Sequence, residues 1–133
     1  MPAIRPWTNA SEILHYLAEN WPFEPEWPDG ALEIGVDATM ADGDTPLHFA
    51  CRWGDVLAVS LLVNAGANID QAGDMGVTPL GAAVASGHLD VAAFLLKQGA
   101  SPHMISDFGT TPLDQAMGGS PELRALFSAH MEK

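Results

Sequence analysis

Positive charge is scarce in this chain of 133 residues, because five Lys and Arg stand against 17 Asp and Glu, for a formal net charge of −12. Proteins bind nucleic acids and anionic membranes through clustered Lys and Arg, so the composition argues against both as partners. The excess of acidic residues has two explanations. It keeps a monomer in solution, or it steers a basic protein partner toward the chain.

Cysteine and long apolar runs are also scarce. Cys51 has no second cysteine with which to form an internal disulfide, which agrees with a reducing compartment. Apolar runs such as residues 56–67 are about three helical turns long, shorter than the roughly 20 residues that span a bilayer. The N-terminal residues contain no apolar core of the length that a secretory signal needs. We therefore expect a cytoplasmic protein.

The tripeptide Thr-Pro-Leu occurs three times, at Thr45, Thr78 and Thr111, with a spacing of 33 residues. A period of this length is typical of repeat proteins, in which each unit buries its apolar face against the next. The same register aligns two further sets of residues, Gly43, Gly76 and Gly109 and then Ala50, Ala83 and Ala116. The chain therefore contains a repeated structural unit.

The residue types of this unit predict two helices. The glycine suits a turn with positive φ, the threonine caps the first helix, and the proline takes its first position, where no N–H is needed. Leu-x-x-Ala forms the buried stripe of that helix, which ends at Gly54 or Gly87. A second helix follows, with Val91, Phe94 and Leu95 on its apolar side and a glycine after its last turn.

The period and the segment Thr-Pro-Leu-His, which begins at Thr45, resemble the ankyrin repeat. The resemblance implies an all-α solenoid of stacked helix-turn-helix units. Two full repeats occupy residues 40–72 and 73–105, and a shorter C-terminal capping repeat occupies residues 106–133. Residues 1–39 then form a degenerate N-terminal half-repeat.

The histidine of the Thr-Pro-Leu-His segment occurs in one of the three repeats. His48 carries it in the first repeat, whereas Gly81 and Asp114 stand at the same position in the next two. The resemblance implies that this histidine forms hydrogen bonds between neighbouring turns. We therefore expect such bonds at His48 and not at the two later positions.

One helix is predicted in the N-terminal half-repeat. Asn9 can cap its first amide groups, and Glu12 stands three residues later, as in a capping box. One face of this helix is apolar and consists of Ala10, Ile13, Leu14 and Leu17. By register it takes the place of the second helix of a repeat.

Residues 21–32 are an insertion in the half-repeat. Its prolines exclude a helix interior, and Trp21, Phe23 and Trp27 lie between them. In one interpretation, which we favour, these aromatic residues cover the apolar N-terminal end of the stack, because terminal repeats need a covering. In the other, the insertion projects from the stack and contacts a partner.

The C-terminal repeat is predicted to end the stack with a polar face. Ser120 and Pro121 are suited to begin its last helix. A constant spacing of 33 residues places Arg124 where Val91 stands and Ser128 where Leu95 stands. Polar residues would then replace apolar ones on the outward side of this helix.

Residue patterns that indicate catalysis or metal binding do not occur. The five histidines show no HExxH spacing and the chain has no CxxC, so we expect no metal site and no cofactor. His48 and Cys51 are three residues apart on one helix, where they could form a base and a nucleophile. Cys51 aligns with the apolar Val84 and Met117, which favours an inert buried thiol. We expect no enzymatic activity, and an enzyme or enzyme accessory that uses His48 and Cys51 is an alternative.

The resemblance implies that a partner binds the concave side of the stack, which consists of the turn tips and the exposed ends of the first helices. In this sequence that side is acidic with apolar anchors. The candidate partner-binding residues are Asp42, Asp44, Arg52, Trp53, Asp74, Met75, Ser86, Asp107 and Phe108. For Trp53, packing against the N-terminal insertion is the alternative.

The sequence therefore predicts a non-catalytic module that is monomeric when unbound and binds another protein, with a basic protein as the favoured partner. An inhibitor or immunity-type protein for such a partner is one form that this function could take. A subunit of a larger obligate assembly is a second alternative. The sequence does not identify the partner.

Overall fold

A computed structural model describes residues 7–20, 35–39 and 42–131 of the chain. These ranges contain seven α-helices and no strand. The helices are α1 (Ala10–Asn20), α2 (Pro46–Trp53), α3 (Val56–Asn64), α4 (Pro79–Ala85), α5 (Leu89–Lys97), α6 (Pro112–Met117) and α7 (Pro121–Met131). The predicted insertion at residues 21–32 lies outside the described residues. The prediction of an all-α repeat fold is confirmed.

The helices pack in two rows. Helices α2, α4 and α6 form an inner row, and α1, α3, α5 and α7 form an outer row. Each inner helix packs on the outer helix that follows it in the chain and on the next inner helix. Helix α1 packs on α3, so it takes the place of a second helix, as predicted for the half-repeat.

A threonine precedes each inner helix, and at the second and third of these helices its hydroxyl caps the helix as predicted. The Thr78 hydroxyl accepts a hydrogen bond from the Gly81 N–H at 3.2 Å, and the Thr111 hydroxyl accepts one from the Asp114 N–H at 3.0 Å. These bonds satisfy amide groups that have no partner within the helix. The first helical position is proline in all three helices. The local chemistry of the tripeptide therefore fixes where the inner row begins.

Gly54, which follows α2, shows why a glycine is needed between the helices of a repeat. Its φ is +75°, a left-handed conformation that other residues rarely adopt. A Cβ atom at this position would also lie 2.6 Å from Nδ1 of His88. The His88 ring packs here because its Nε2 lies 2.9 Å from the carbonyl oxygen of Arg52 and bonds the second repeat to the first.

The core lies between the two rows. Its largest fully buried apolar side chains come from both rows and are Ile13, Leu47, Leu62, Leu80, Leu95 and Phe127. Burying one such side chain stabilises a fold by about 1.5–3 kcal/mol, so packing between the two rows supplies much of the stability. Among the described residues, no helix is long and apolar enough to cross a membrane.

The last repeat is one residue shorter than a constant spacing assumes. Helix α5 is capped at His88, and helix α7 is capped at Ser120, whose hydroxyl accepts a hydrogen bond from the Leu123 N–H at 3.2 Å. The two caps are 32 residues apart. The buried Leu123 and Phe127 therefore take the places of the buried residues at 91 and 95 of α5.

The predicted positions of Arg124 and Ser128 were therefore wrong by one residue. They take the places of Ala92 and Leu96, which are buried in α5, and both are exposed in α7. Polar residues thus replace apolar ones on the outward side of the last helix. The prediction of a polar C-terminal face is confirmed, although the residues replaced are different.

Candidate partner-binding surface

Three turns stand side by side at one edge of the stack, and we call them the first tip (residues 42–44), the second tip (73–77) and the third tip (106–110). The Gly73 N–H donates to the Val77 carbonyl at 2.8 Å, and the Ser106 N–H donates to the Thr110 carbonyl at 2.9 Å. The second and third tips are thus closed by equivalent hydrogen bonds, 33 residues apart.

Neighbouring tips are also bonded to each other. The Asp74 N–H donates to the Asp44 carboxylate at 2.9 Å, and the Asp107 N–H donates to the Met75 carbonyl at 2.8 Å. A Cβ at Gly73 would overlap Asp44, so the first two tips approach this closely because residue 73 is glycine. The three tips therefore form one continuous surface, which we call the tip edge.

His48 connects the inner helix of the first repeat to the second tip. Its Nε2 lies 2.8 Å from the Val77 carbonyl oxygen, which only accepts, so Nε2 carries the proton. Its Nδ1 then accepts from the Thr45 N–H at 3.1 Å. Burial lowers the pKa of His48, and the hydrogen bond to Val77 offsets only part of this effect. The ring is therefore a neutral structural link, as the resemblance implied.

Asp44 and Arg52 bond to each other. Asp44 is 4% exposed, and its carboxylate accepts hydrogen bonds from Arg52 Nη1 and from the Asp74 N–H. Burial raises the pKa of Asp44, but these two hydrogen bonds and the positive charge of Arg52 together hold the pKa below its usual value. Both candidate residues thus hold the first tip against the second.

Trp53 is partly buried at the end of α2. Its ring packs edge-to-face on Tyr16 of α1, with ring centroids 5.9 Å apart, and Trp7 packs on the same tyrosine at 5.9 Å. The Trp7 indole N–H also donates to the buried Asp55 carboxylate at 2.8 Å. These aromatic residues attach α1 to the first repeat. Any contact of Trp53 with the insertion would involve residues outside the described part of the chain.

The remaining candidates lie at the surface. Asp42, Asp107 and Ser86 are exposed, and Asp74 is half-buried. Met75 on the second tip is 53% exposed and Phe108 on the third tip is 67% exposed. The structure therefore brings two apolar side chains and three carboxylates together on the tip edge, while Ser86 lies at the end of α4.

Two exposed apolar residues beside the third tip were not predicted. Ile105 is 72% exposed and Met104 is 40% exposed. They align with Gln71 and Ala72 of the preceding repeat, where no large apolar residue stands. This departure from the repeat pattern is the sequence feature from which the two exposed residues could have been predicted. Together with Phe108, these residues make the third tip the most apolar part of the tip edge.

The geometry does not bring His48 and Cys51 together as base and nucleophile. Cys51 is fully buried and burial raises the pKa of its thiol, while both ring nitrogens of His48 are bonded to other groups. No group of three or more His, Cys, Asp or Glu side chains within the described ranges could hold a metal ion. His48 and Cys51 therefore contribute to packing and hydrogen bonding within the fold.

Two rows of short helices, bonded tips and a 33-residue period define a stacked helical repeat protein. A sequence model of ankyrin repeats in three copies matches residues 3–106, so the chain belongs to the ankyrin-repeat family. Ankyrin repeats form protein–protein interaction modules. A search of curated proteins finds no match to this chain.

Proposed function

We propose that the chain is a non-catalytic module that binds a basic protein partner at its tip edge. The observation that carries this proposal is the exposure of Met75 and Phe108 on adjacent tips, whose spacing is fixed by the Asp107 N–H bond to the Met75 carbonyl. Because hydrogen bonds hold the tips in place, little backbone entropy is lost on binding, and a few buried anchor residues dominate interface energies.

Carboxylates lie beside Met75 and Phe108, and their negative charge favours a partner with a basic surface. Asp74 and Asp107 directly precede Met75 and Phe108 in the sequence, and Asp42 lies on the first tip. A partner with Lys and Arg around an apolar patch would match both features and would be attracted by the net charge of −12. Asp44 contributes mainly to the structure, because its carboxylate is already bonded within the chain.

The form of this function that we favour is an inhibitor or immunity-type protein of a basic enzyme, such as a nuclease. An enzyme that binds nucleic acid has a surface rich in Lys and Arg. The acidic tip edge would compete for that surface with phosphate groups. In this proposal the chain acts in the cytoplasm and is a monomer until it meets its partner.

The experiment that tests this proposal removes the apolar side chains of Met75 and Phe108. A partner is isolated on the immobilised chain, and its association and dissociation rates are measured with Met75→Ala and Phe108→Ala. Each substitution should speed dissociation by about tenfold or more and leave association nearly unchanged. Leu57→Ala is the matched control, because Leu57 is 44% exposed on the outer helix α3. Equal effects of all three substitutions, or none, would exclude the tip edge as the binding surface.

A further inference from the structure

A second surface of the chain differs in charge from the tip edge. It is an open groove between the outer helices α5 and α7, with a volume of about 810 Å³ including the part open to solvent. The groove is lined by Ala93, Leu96, Lys97, Leu126, Ala129 and His130. Its floor is apolar, two of its lining residues are basic types, and none of them is acidic.

Two small side chains in its lining, Ala93 and Ala129, help to leave the groove open. The 32-residue offset between α5 and α7 places Leu126 where Phe94 stands in the preceding repeat, and Ala129 where Lys97 stands. At both positions the later helix has the smaller side chain. At the equivalent place between α3 and α5, the larger Phe94 stands at the position of Leu126.

Unpaired positive charge lies at this groove. Within the described ranges the Lys and Arg residues are Arg52, Lys97 and Arg124, and Arg52 is paired with Asp44. Lys97 is exposed at the C-terminal end of α5 and forms no ion pair with a described residue. The chain as a whole has a net charge of −12. The lining of this groove contains Lys97 and no acidic residue, so its local charge differs from that of the whole chain.

We propose that this groove is a docking site for an acidic amphipathic helix of a second partner protein. An apolar side chain of that helix would pack between Leu96 and Leu126, and a carboxylate about one helical turn away would pair with Lys97. The overall negative charge slows the approach of any acidic partner. Recognition therefore depends on these short-range contacts, and it is independent of binding at the tip edge.

The test uses a fluorescein-labelled, end-capped helical peptide with Leu at every third or fourth position and Glu one helical turn from a Leu, at the edge of the apolar face. Its affinity is measured by fluorescence anisotropy. Lys97→Glu should weaken binding by about tenfold or more, whereas Arg124→Glu should weaken it by less than about threefold. Both substitutions change the net charge equally, and Arg124 does not line the groove. Amide chemical shifts of the labelled protein should change in α5 and α7.

A second variant tests the apolar floor. Leu126→Phe introduces the residue found at this position in the preceding repeat, so it should fill the groove without unfolding the chain, which a thermal melt checks. It should weaken peptide binding by about tenfold. The proposal is overturned if the peptide does not bind, if both charge variants weaken binding equally, or if Leu126→Phe leaves binding unchanged. Shift changes confined to the tip edge would also overturn it, as would binding to anionic vesicles in place of the peptide.

Discussion

At one position in the repeat, the residue type determines whether a hydrogen bond to the next repeat forms. His48 bonds to the Val77 carbonyl in the next repeat. Asp114 only accepts the Thr111 N–H at 3.0 Å in its own repeat, and Gly81 has no side chain to bond with. The sequence predicted that this bond between turns would form only at His48, and the structure confirms it. One of the hydrogen bonds between the first two repeats therefore involves an imidazole that can be protonated.

The stability of the chain should fall when His48 becomes protonated. Its pKa is lowered in the folded state from a usual value of 6.5, mainly by burial, so the unfolded chain binds a proton at a higher pH than the folded chain does. The stabilisation is complete above about pH 6.5 and is lost as the pH falls below that value. The free energy of unfolding should drop by up to about 2 kcal/mol between pH 7 and pH 5.

Urea unfolding across this pH range provides the measurement, with His48→Gln as the control. Glutamine can still donate to the Val77 carbonyl but does not titrate, so the variant should show a flatter pH dependence. The neighbouring Asp44 stays ionised throughout, because its pKa lies below its usual value. Parallel curves for the two proteins would assign the pH dependence to other groups.

At the scale of the helices, the inner row was predictable because its signals are local. Each threonine and proline acts within a few residues of its own position, as the bonds from Gly81 to Thr78 and from Asp114 to Thr111 show. The shorter last repeat was missed, because one residue lost from the turn before Ser120 leaves every motif intact. It is visible in the position of the Ser120 cap and in the burial of Leu123 and Phe127.

Long-range contacts of single side chains were not predictable. Trp7 lies 48 residues from Asp55, and no pattern in the sequence pairs them. Asp44 was predicted to face a partner because the resemblance to ankyrin repeats places it on a turn tip of the binding side. Its burial depends on a backbone N–H of the next repeat and on Arg52, neither of which the register alone reveals.

The attachment of α1 should depend on the Trp7 indole N–H. Trp7→Phe keeps an aromatic ring but removes the donor to the buried Asp55 carboxylate, which keeps its bond from the Ala58 N–H at 3.1 Å. The free energy of unfolding should fall by about 1–3 kcal/mol, the cost of an unsatisfied buried acceptor. Amide exchange in α1 should accelerate more than exchange in α5. Trp53→Phe is the control, since it changes an aromatic contact without removing a donor to Asp55.

At the scale of the whole molecule, fewer acidic side chains are accessible to a partner than the net charge of −12 suggests. Asp44 and Asp55 are buried and bonded within the chain. Asp42, Asp74 and Asp107 lie on the tip edge beside the apolar anchors. If binding occurs there, these three carboxylates should influence association far more than their share of the total charge implies.

Replacing Asp42, Asp74 and Asp107 together with Asn tests this expectation. Their fields act on an approaching basic partner over a Debye length of about 8–10 Å, so the substitutions should slow association by about tenfold at low salt and flatten its salt dependence. Dissociation should change little, because the apolar anchors remain. The matched control neutralises three surface acids away from the tips, Glu19, Asp90 and Glu122, and alters the net charge by the same amount. Equal slowing in both sets would mean that only the total charge steers the partner. Unchanged association in both would mean that the acidic residues serve to keep the chain in solution.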